Sequence, residues 1–289
     1  MKSDLSAEVE IEAEVGKMES EAVVKRLGED LKLEFYKRSL MLLKESNIGF
    51  LVGGAYALYH YTGIFRDTKD LDIFIMPGDY QPTLEIFAAA GFQTSLTFTH
   101  WLAKATWNGH LVDIIFNSGN AISEVDNRWF ENSVEAEVFG IPVRVIPPEE
   151  MIWSKGFIME RERYDGADVS HVLLACGKTL DWNRLLERFG PHWRILLNHL
   201  VLFGFIYPSE RALIPAWVMR ELMSRLDGEL EQGSDEHICR GTLLSRSQYK
   251  LDVEEWGFRD ARLAPCGNMT KKQIRKWDDG ALIDGCARC

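Results

Sequence analysis

The sequence predicts an α+β fold in which a mixed β-sheet with flanking helices is followed by a helical domain. Strand-like and helix-like runs alternate up to about residue 147. The pair Asn108 and Gly109 separates two apolar runs, which is a strong hairpin signal. After Pro147 and Pro148 the pattern becomes helical throughout. These observations place the sheet in the first half of the chain and the helices in the second.

The first elements lead to a glycine pair. Residues 8 to 46 have apolar positions near helical spacing and end at Asn47 and Gly49, so we predict one helix. "IGFLVGG" has strand composition, and "AYALYHY" is typical of a short helix. Gly53 and Gly54 therefore lie at a strand-to-helix turn.

The remaining elements follow from turn and cap signals. "DLDIFIM" is a second strand, and "YQPTLEIFAAAGF" is a helix closed by Gly91. "LAKATW" and "HLVDIIF" pair through the Asn108 turn, and "AEVFGIPVRVI" contains a further short strand pair. Helices are predicted over 148 to 177, 181 to 190, 191 to 206 and 208 to 228.

These elements divide the chain into segments. Residues 1 to 47 form an N-terminal helical arm, 48 to 147 the core, and 148 to 228 the helical domain. The polar, glycine-containing tail from 229 to 289 is weakly periodic, and its pattern indicates no chemistry.

Composition limits the partners. A chain of 289 residues with 46% hydrophobic content has material for a real core. The formal net charge of -11 disfavours non-specific nucleic-acid binding, which depends on Lys and Arg. The N-terminus lacks the apolar region of a signal peptide, and the run "LVLFGFIY" is too short to cross a bilayer. We expect a cytoplasmic protein that does not bind a membrane.

The cysteines do not form a recognisable framework. There are five of them, an odd and scattered set, which favours reduced thiols over disulfides. The terminal "CARC" has metal-ligand spacing, and Cys266, Cys239 or His237 could complete a zinc site with it. One such motif without a second close pair leaves both readings open.

The carboxylates of "DLDIFI" are the main chemical signal. Because strand side chains alternate, Asp70 and Asp72 share a face, and two neighbouring anions favour a bound hard cation. Asp113 lies between apolar residues of another strand. If the two strands are neighbours, three carboxylates meet and could hold two magnesium ions. A solvated Asp-x-Asp and a lone strand aspartate are the structural alternatives.

A phosphate site is predicted beside them. Gly53 and Gly54 allow close approach to their amides and to a helix N-terminus. Arg66, Thr68 and Lys69 precede the aspartates and add donors and positive charge. A simple tight turn is the alternative explanation of the glycines.

The segments "VGGAYAL", "FRDTKDLDIF" and "LVDIIF" together resemble the DNA polymerase beta-like nucleotidyltransferase superfamily, in the branch of minimal nucleotidyltransferases and abortive-infection type IV toxins. The resemblance covers residues 48 to 120 and continues more loosely over 153 to 174. It implies that residues 48 to 147 form a nucleotidyltransferase palm. It also implies that Gly53 and Gly54 hold phosphate, that Asp70, Asp72 and Asp113 bind metal, and that Lys155 approaches the triphosphate.

The helical segment after Pro148 also has a structural explanation. On one continuous helix, Lys155 shares a stripe with Ile152, Met159 and Val169. On the same helix Arg161, Asp165 and Asp168 would form an intrahelical ion-pair row.

We therefore expect a metal-dependent enzyme that moves a nucleoside monophosphate from a nucleoside triphosphate such as ATP to an acceptor, with release of pyrophosphate. The acceptor could be a small hydroxylated molecule, a tRNA end or a protein. A non-catalytic nucleotide-binding module and an Asp-x-Asp glycosyltransferase are the alternatives, although the second gives no reason for the glycine turn.

Overall fold

The computed structural model describes residues 29–231 and 233–286, without the side chains beyond 280. Part of the predicted N-terminal arm, residues 1–28, lies outside the described residues, as do residues 287–289 of the terminal "CARC" motif. The first helix, α1, is described over 29–45, where one side packs Phe35, Leu40 and Leu43 into the core.

The centre of the fold is a sheet of seven strands in the order β3-β4-β5-β2-β1-β7-β6. In chain order the strands are β1 Phe50–Val52, β2 Asp70–Ile75, β3 Gln93–Phe98, β4 Leu102–Trp107, β5 His110–Ile115, β6 Val134–Val138 and β7 Ile141–Val145. β2 runs parallel to β5 and antiparallel to β1, while β1 runs parallel to β7. The mixed sheet predicted from the sequence is confirmed.

Short helices connect these strands. They are α2 Gly54–Thr62, α3 Tyr80–Ala89 and α4 Asn127–Glu131. The Asn108 and Gly109 turn closes the hairpin of β4 and β5, and both residues have positive φ, as a tight two-residue turn requires. β3 was not predicted, because "QTSLTF" lacks a clear apolar alternation; it pairs with β4 and extends the hairpin to a three-stranded edge.

Helices follow the sheet, as predicted, but their boundaries differ from the predicted ones. They are α5 Pro148–Gly156, α6 Gly166–Cys176, α7 Trp182–Phe189, α8 Trp193–Ile206 and α9 Ala216–Glu229. The prediction of one helix over 148 to 177 is wrong, because α5 ends at Gly156 and an irregular segment of 157–165 precedes α6. Residues Pro208–Leu213 form a 3-10 turn separate from α9.

A buried ion network fixes α7 to the rest of the molecule. Arg188 on α7 binds Glu150 of α5 at 3.0 Å and both oxygens of Asp126, the N-cap of α4, at 2.6 and 2.8 Å. Arg184 pairs with Glu149. Glu149 and Glu150 are both buried, and burial raises the pKa of Glu150 although two arginines lower it. The arginines are needed to keep these carboxylates charged inside the protein.

The described residues of the tail form further short strands and helices, and the last of these helices contacts β3. It contains the strand pair β8 Ile238–Cys239 and β9 Arg259–Asp260, the helix α10 Lys250–Glu254 and the helix α11 Lys271–Cys286. Arg262 holds it together by binding Asp260 and, at 2.6 Å, Asp278 of α11. No described helix combines the length and the apolar character that a membrane crossing requires.

Candidate functional site

Two neighbouring strands bring the predicted aspartates together. In the parallel pair of β2 and β5, Asp72 lies directly opposite Asp113 and Asp70 lies opposite Leu111. Since side chains alternate along a strand, Asp70, Asp72 and Asp113 share one face of the sheet. The alternating partners Leu71 and Ile73 are fully buried on the other face, which fixes this register.

The glycine turn lies against this face. Gly54 has φ of 54° and begins α2, and a Cβ placed on it would overlap Oδ2 of Asp72. A side chain here would therefore be strained and would displace the carboxylate. The Gly53 amide donates to the Asp72 carbonyl at 2.9 Å, which locks the turn onto β2. The Gly53 amide therefore already has an acceptor. Of the phosphate site predicted at Gly53 and Gly54, the helix N-terminus at Gly54 is the part that faces the carboxylates.

The electrostatics of Asp72 are unusual. Burial, followed by the charges of Asp70 and Asp113, raises the pKa of Asp72 to about 7, although Lys155 and Arg163 lower it. A carboxylate with this pKa lacks a sufficient counter-charge from the protein. The site therefore favours an added cation.

Asp113 differs from the other two because it has its own cation. Lys104 faces it from β4, in register, with Nζ 3.0 Å from Oδ1. Burial raises the pKa of Asp113, and Lys104 opposes that shift. Lys104 was not predicted as a site residue, although its place opposite Asp113 in the hairpin follows from the Asn108 turn.

All three carboxylates line one cleft of 530 Å³. Of the predicted site residues, the cleft lining includes Gly54, Arg66, Thr68, Asp70, Asp72, Asp113 and Lys155. Gly53 and Lys69 are not in the lining: Gly53 is buried beneath Phe74 and Lys69 is exposed outside the cleft. Lys69 is a bend residue that directly precedes β2.

Two of the lining residues are positioned by neighbours. Thr68 donates its hydroxyl to Asp70 Oδ1 at 2.6 Å, so it orients that carboxylate. The Thr68 carbonyl and the Asp67 carboxylate both accept from Lys32 of α1. Arg66 pairs with Asp168 of α6 at 2.5 Å.

Lys155 belongs to a cluster of charges formed by α5, the irregular segment and α6. Its Nζ lies 2.7 Å from Asp165 and 2.9 Å from Asp168. Arg163 binds both oxygens of Asp165 at 3.0 Å. Burial alone would raise the pKa of Asp165, but Lys155 and Arg163 lower it to about 2.

This cluster corrects two predictions. Lys155 does not share a helical stripe with Met159 and Val169, and Arg161, Asp165 and Asp168 do not form a row on one helix, since α5 ends at Gly156. The break instead turns Asp165 and Asp168 back toward Lys155. Arg163 was missed as a lining residue because a continuous helix would have given it no reason to face the cleft.

The fit of a metal ion can be judged from the donors. Within the part of the chain that the structure describes, no group of three or more His, Cys, Asp or Glu side chains is arranged to hold an ion. The assignment of Asp70, Asp72 and Asp113 to magnesium therefore stays a prediction, and Asp113 already has Lys104 as a partner. The donors still suit Mg²⁺, which is commonly bound by one or two carboxylates together with substrate phosphates.

Most aromatic residues near the sheet belong to the core. Tyr61 donates to the Ile146 carbonyl at 2.7 Å, Tyr56 packs on Phe139, and Trp107 stacks on Phe35. Trp101 does line the cleft. Among the described cysteines, Cys176, Cys239 and Cys266 are free thiols.

A family of known sequences matches this chain. The family described as nucleotidyl transferase of unknown function (DUF2204) matches residues 32–184, more than half of the chain. The match contains the cleft aspartates Asp70, Asp72, Asp113, Asp165 and Asp168, and it ends within α7. No protein of curated function matches the sequence.

Solved structures show a more distant likeness. The antibiotic-resistance factor ANT(2'')-Ia is 17% identical over 59% of this chain and 97% of its own, with a TM-score of 0.43. The lincosamide antibiotic adenylyltransferase LnuA is 17% identical over 49% and 94%, with a TM-score of 0.36. An antigenic nucleotidyltransferase-like protein from Paracoccidioides brasiliensis is 15% identical over 61% and 88%, with a TM-score of 0.37.

Proposed function

Because the chain belongs to the DUF2204 family of nucleotidyl transferases, we propose that it transfers a nucleoside monophosphate from a nucleoside triphosphate to a hydroxyl group of an acceptor and releases pyrophosphate. The observation that carries this proposal is the register of β2 and β5, which places Asp70, Asp72 and Asp113 on one face beside the Gly54 turn. An anion-binding turn next to a carboxylate set is what phosphoryl transfer requires.

Asp70 and Asp72 are the residues that would hold magnesium. The raised pKa of Asp72 favours this assignment, because burial and then the charges of Asp70 and Asp113 raise it by more than Lys155 and Arg163 lower it. When bound, magnesium supplies charge stabilisation at the phosphates. The triphosphate would supply further oxygen ligands, since no group of three or more candidate ligands was found among the residues that the structure describes.

The triphosphate would lie between the start of α2 and the cluster of charges formed by α5, the irregular segment and α6. The N-terminus of α2 presents amides without intrahelical acceptors, and the absence of a side chain at Gly54 lets this turn lie directly against the Asp72 carboxylate. Arg66 and Lys155 line the same cleft and both contact Asp168. In this proposal Asp168 holds the two cations in place before the substrate arrives.

Asp113 would act on the acceptor. It lies next to Asp72 and has a raised pKa, which makes its carboxylate a better proton acceptor than an ordinary aspartate. The ion pair with Lys104 occupies Oδ1. The other oxygen would take the proton of the attacking hydroxyl as the bond to the α-phosphorus forms and the bond to pyrophosphate breaks.

An incubation of the purified protein with magnesium and each common nucleoside triphosphate, labelled at the α-phosphate, tests the proposal. A cell extract supplies the acceptors. We expect a labelled product whose mass exceeds that of an extract component by one nucleoside monophosphate, with an equal amount of pyrophosphate. Saturable nucleotide binding without any product would instead indicate a non-catalytic module, and turnover of sugar nucleotides alone would indicate a glycosyltransferase.

A further inference from the structure

The tail contributes one wall of the cleft. Thr242, Leu243, Leu244, Ser245, Arg246 and Trp277 all line it, together with the carboxylates. These residues lie far beyond residue 184, where the family match ends. The tail is therefore a part of the site that the family membership does not account for.

Hydrogen bonds attach the tail to both sides of the cleft. Asn120, in the loop after β5, donates to the Leu243 carbonyl at 2.8 Å. On the other side Met159 donates to the Leu244 carbonyl at 3.1 Å, and Glu160 accepts from the Ser245 hydroxyl at 2.5 Å. The segment around 240–246 thus bridges the sheet and the irregular segment that follows α5.

Trp277 fixes α11 to the hairpin side of the sheet. Its ring lies 4.9 Å from Phe98 and 5.2 Å from Trp101, in edge-to-face geometry. Arg246 covers it at 4.7 Å. A Cβ on Gly119 would overlap the indole, so this glycine permits the contact.

The strand order identifies which end of the cleft the tail encloses. β1 lies on one side of β2 and β5 on the other, so the Gly54 turn and the tail are on opposite sides of the Asp72 carboxylate. The Gly54 turn, which follows β1 directly, is on the β1 side. Asp113 and the loop after β5 are on the tail side. The acceptor must approach the α-phosphorus from the side opposite the leaving pyrophosphate.

We propose that residues 242–246 and Trp277 form the acceptor subsite, and that the acceptor is a small, hydroxyl-bearing compound without net negative charge. This inference rests on the proposed function and names the substrate class of the same site. The lining of the cleft combines amide and hydroxyl groups, such as Asn117 and Thr242, with the apolar surfaces of Leu244 and Trp101. Such a mixture is typical of small-molecule sites.

Charge and size exclude larger acceptors in this proposal. Arg246, the cation of this wall, is 3.6 Å from Glu160, so the pair presents no excess positive charge to a polynucleotide. A cleft of 530 Å³ that must also hold a nucleotide leaves space for a small molecule only.

The test compares two tail variants with matched controls. Trp277→Ala removes the anchoring indole, and Leu244→Trp fills the subsite. Trp256→Ala and Leu251→Trp make the same changes at exposed tail positions that do not line the cleft. Thermal melting identifies a variant that fails to fold, and the other variant of the pair then carries the test.

The assay uses α-labelled nucleoside triphosphates, magnesium, and three acceptor fractions from one cell extract: small-molecule filtrate, RNA and protein. We expect the wild type to label the filtrate alone. We expect Trp277→Ala and Leu244→Trp to lower that label about tenfold or more, as the loss or filling of an apolar pocket does, while binding of a nonhydrolysable triphosphate stays within about twofold. The controls should match the wild type.

The failures are distinguishable. Label in the RNA or protein fraction, or unchanged labelling by both tail variants, overturns the acceptor subsite and leaves the transferase intact. An equal loss of nucleotide binding and labelling would assign the tail to the nucleotide instead. No labelled product from the wild type in any fraction overturns the proposed function itself and this inference with it.

Discussion

Gly54 and Asp72 occupy adjoining space: the position that a Cβ of residue 54 would take is filled by Oδ2 of Asp72. The φ of 54° at Gly54 adds a second requirement for glycine, because that conformation is costly for other residues. The turn that starts α2 and the carboxylate on β2 are thus parts of one arrangement.

Gly54→Ala should abolish nucleotidyl transfer, because the methyl group displaces the Asp72 carboxylate. Positive φ alone costs about 1–2 kcal/mol, so the control must share it. Gly63 has φ of 69° with no atom within 4 Å of an added Cβ, which makes Gly63→Ala that control. Transfer assays and urea unfolding of both variants check the prediction. Equal loss of activity in the two variants would contradict it.

Lys104→Met should lower kcat by about ten- to a hundredfold, because the Asp113 carboxylate loses the ion pair that orients it. Lys104→Arg keeps a cation on β4 and should retain most of the activity. The KM for the triphosphate should not change in either variant. Steady-state kinetics measure both constants, and a rise in KM at constant kcat would show that Lys104 serves nucleotide binding instead.

Asp165→Asn should destabilise the protein in a pH-dependent manner. The pKa of Asp165 is about 2 in the folded protein against an ordinary value of 3.8, so its ionised form is worth about 2 kcal/mol above pH 4. Because the folded pKa is the lower one, this contribution is lost as the pH falls from about 4 toward 2.

Urea unfolding between pH 3 and 7 measures that difference. The gap in unfolding free energy between the wild type and Asp165→Asn should narrow at the acidic end of this range. The exposed Asp227→Asn should show no such gap. A gap that stays constant over the whole range would mean that Asp165 stabilises the fold by something other than its charge.

Arg188→Met should lower the unfolding free energy by about 3 kcal/mol, since it leaves the fully buried Glu150 without its 3.0 Å partner. Arg225 forms an exposed pair with Glu221 one helical turn away, so Arg225→Met should cost less than about 0.5 kcal/mol. Chemical unfolding at neutral pH compares them. A similar loss of unfolding free energy in the two variants would show that the buried ion network does not stabilise the fold more than an exposed ion pair does.

The sequence predicted the site through strand periodicity. Alternation in "DLDIFI" places Asp70 and Asp72 on one face, and the Asn108 hairpin orders β4 and β5. Whether β5 lies beside β2 is a tertiary fact, which no local pattern determines. Lys104 differs, because its place opposite Asp113 follows from the two-stranded hairpin alone and was overlooked.

The helical part was less predictable. Periodicity continued through residues 157–165, so the break after Gly156 was missed, and with it the packing of Asp165 and Asp168 against Lys155. The tail gave no signal because its contacts are single anchors, such as Trp277 against Trp101, rather than a repeated apolar face. Long-range contacts of this kind leave no mark on sequence periodicity.

We propose that nucleotidyl transfer depends on the Asp70 and Asp72 carboxylates, which would hold magnesium. The most direct measurement is the yield of labelled acceptor from an α-labelled triphosphate with Asp70→Asn, Asp72→Asn and the control Asp227→Asn, with and without chelation of magnesium. We predict no product from either site variant or after chelation, and full product from the control, with all three variants folded. Undiminished product from Asp70→Asn and Asp72→Asn would contradict the claim.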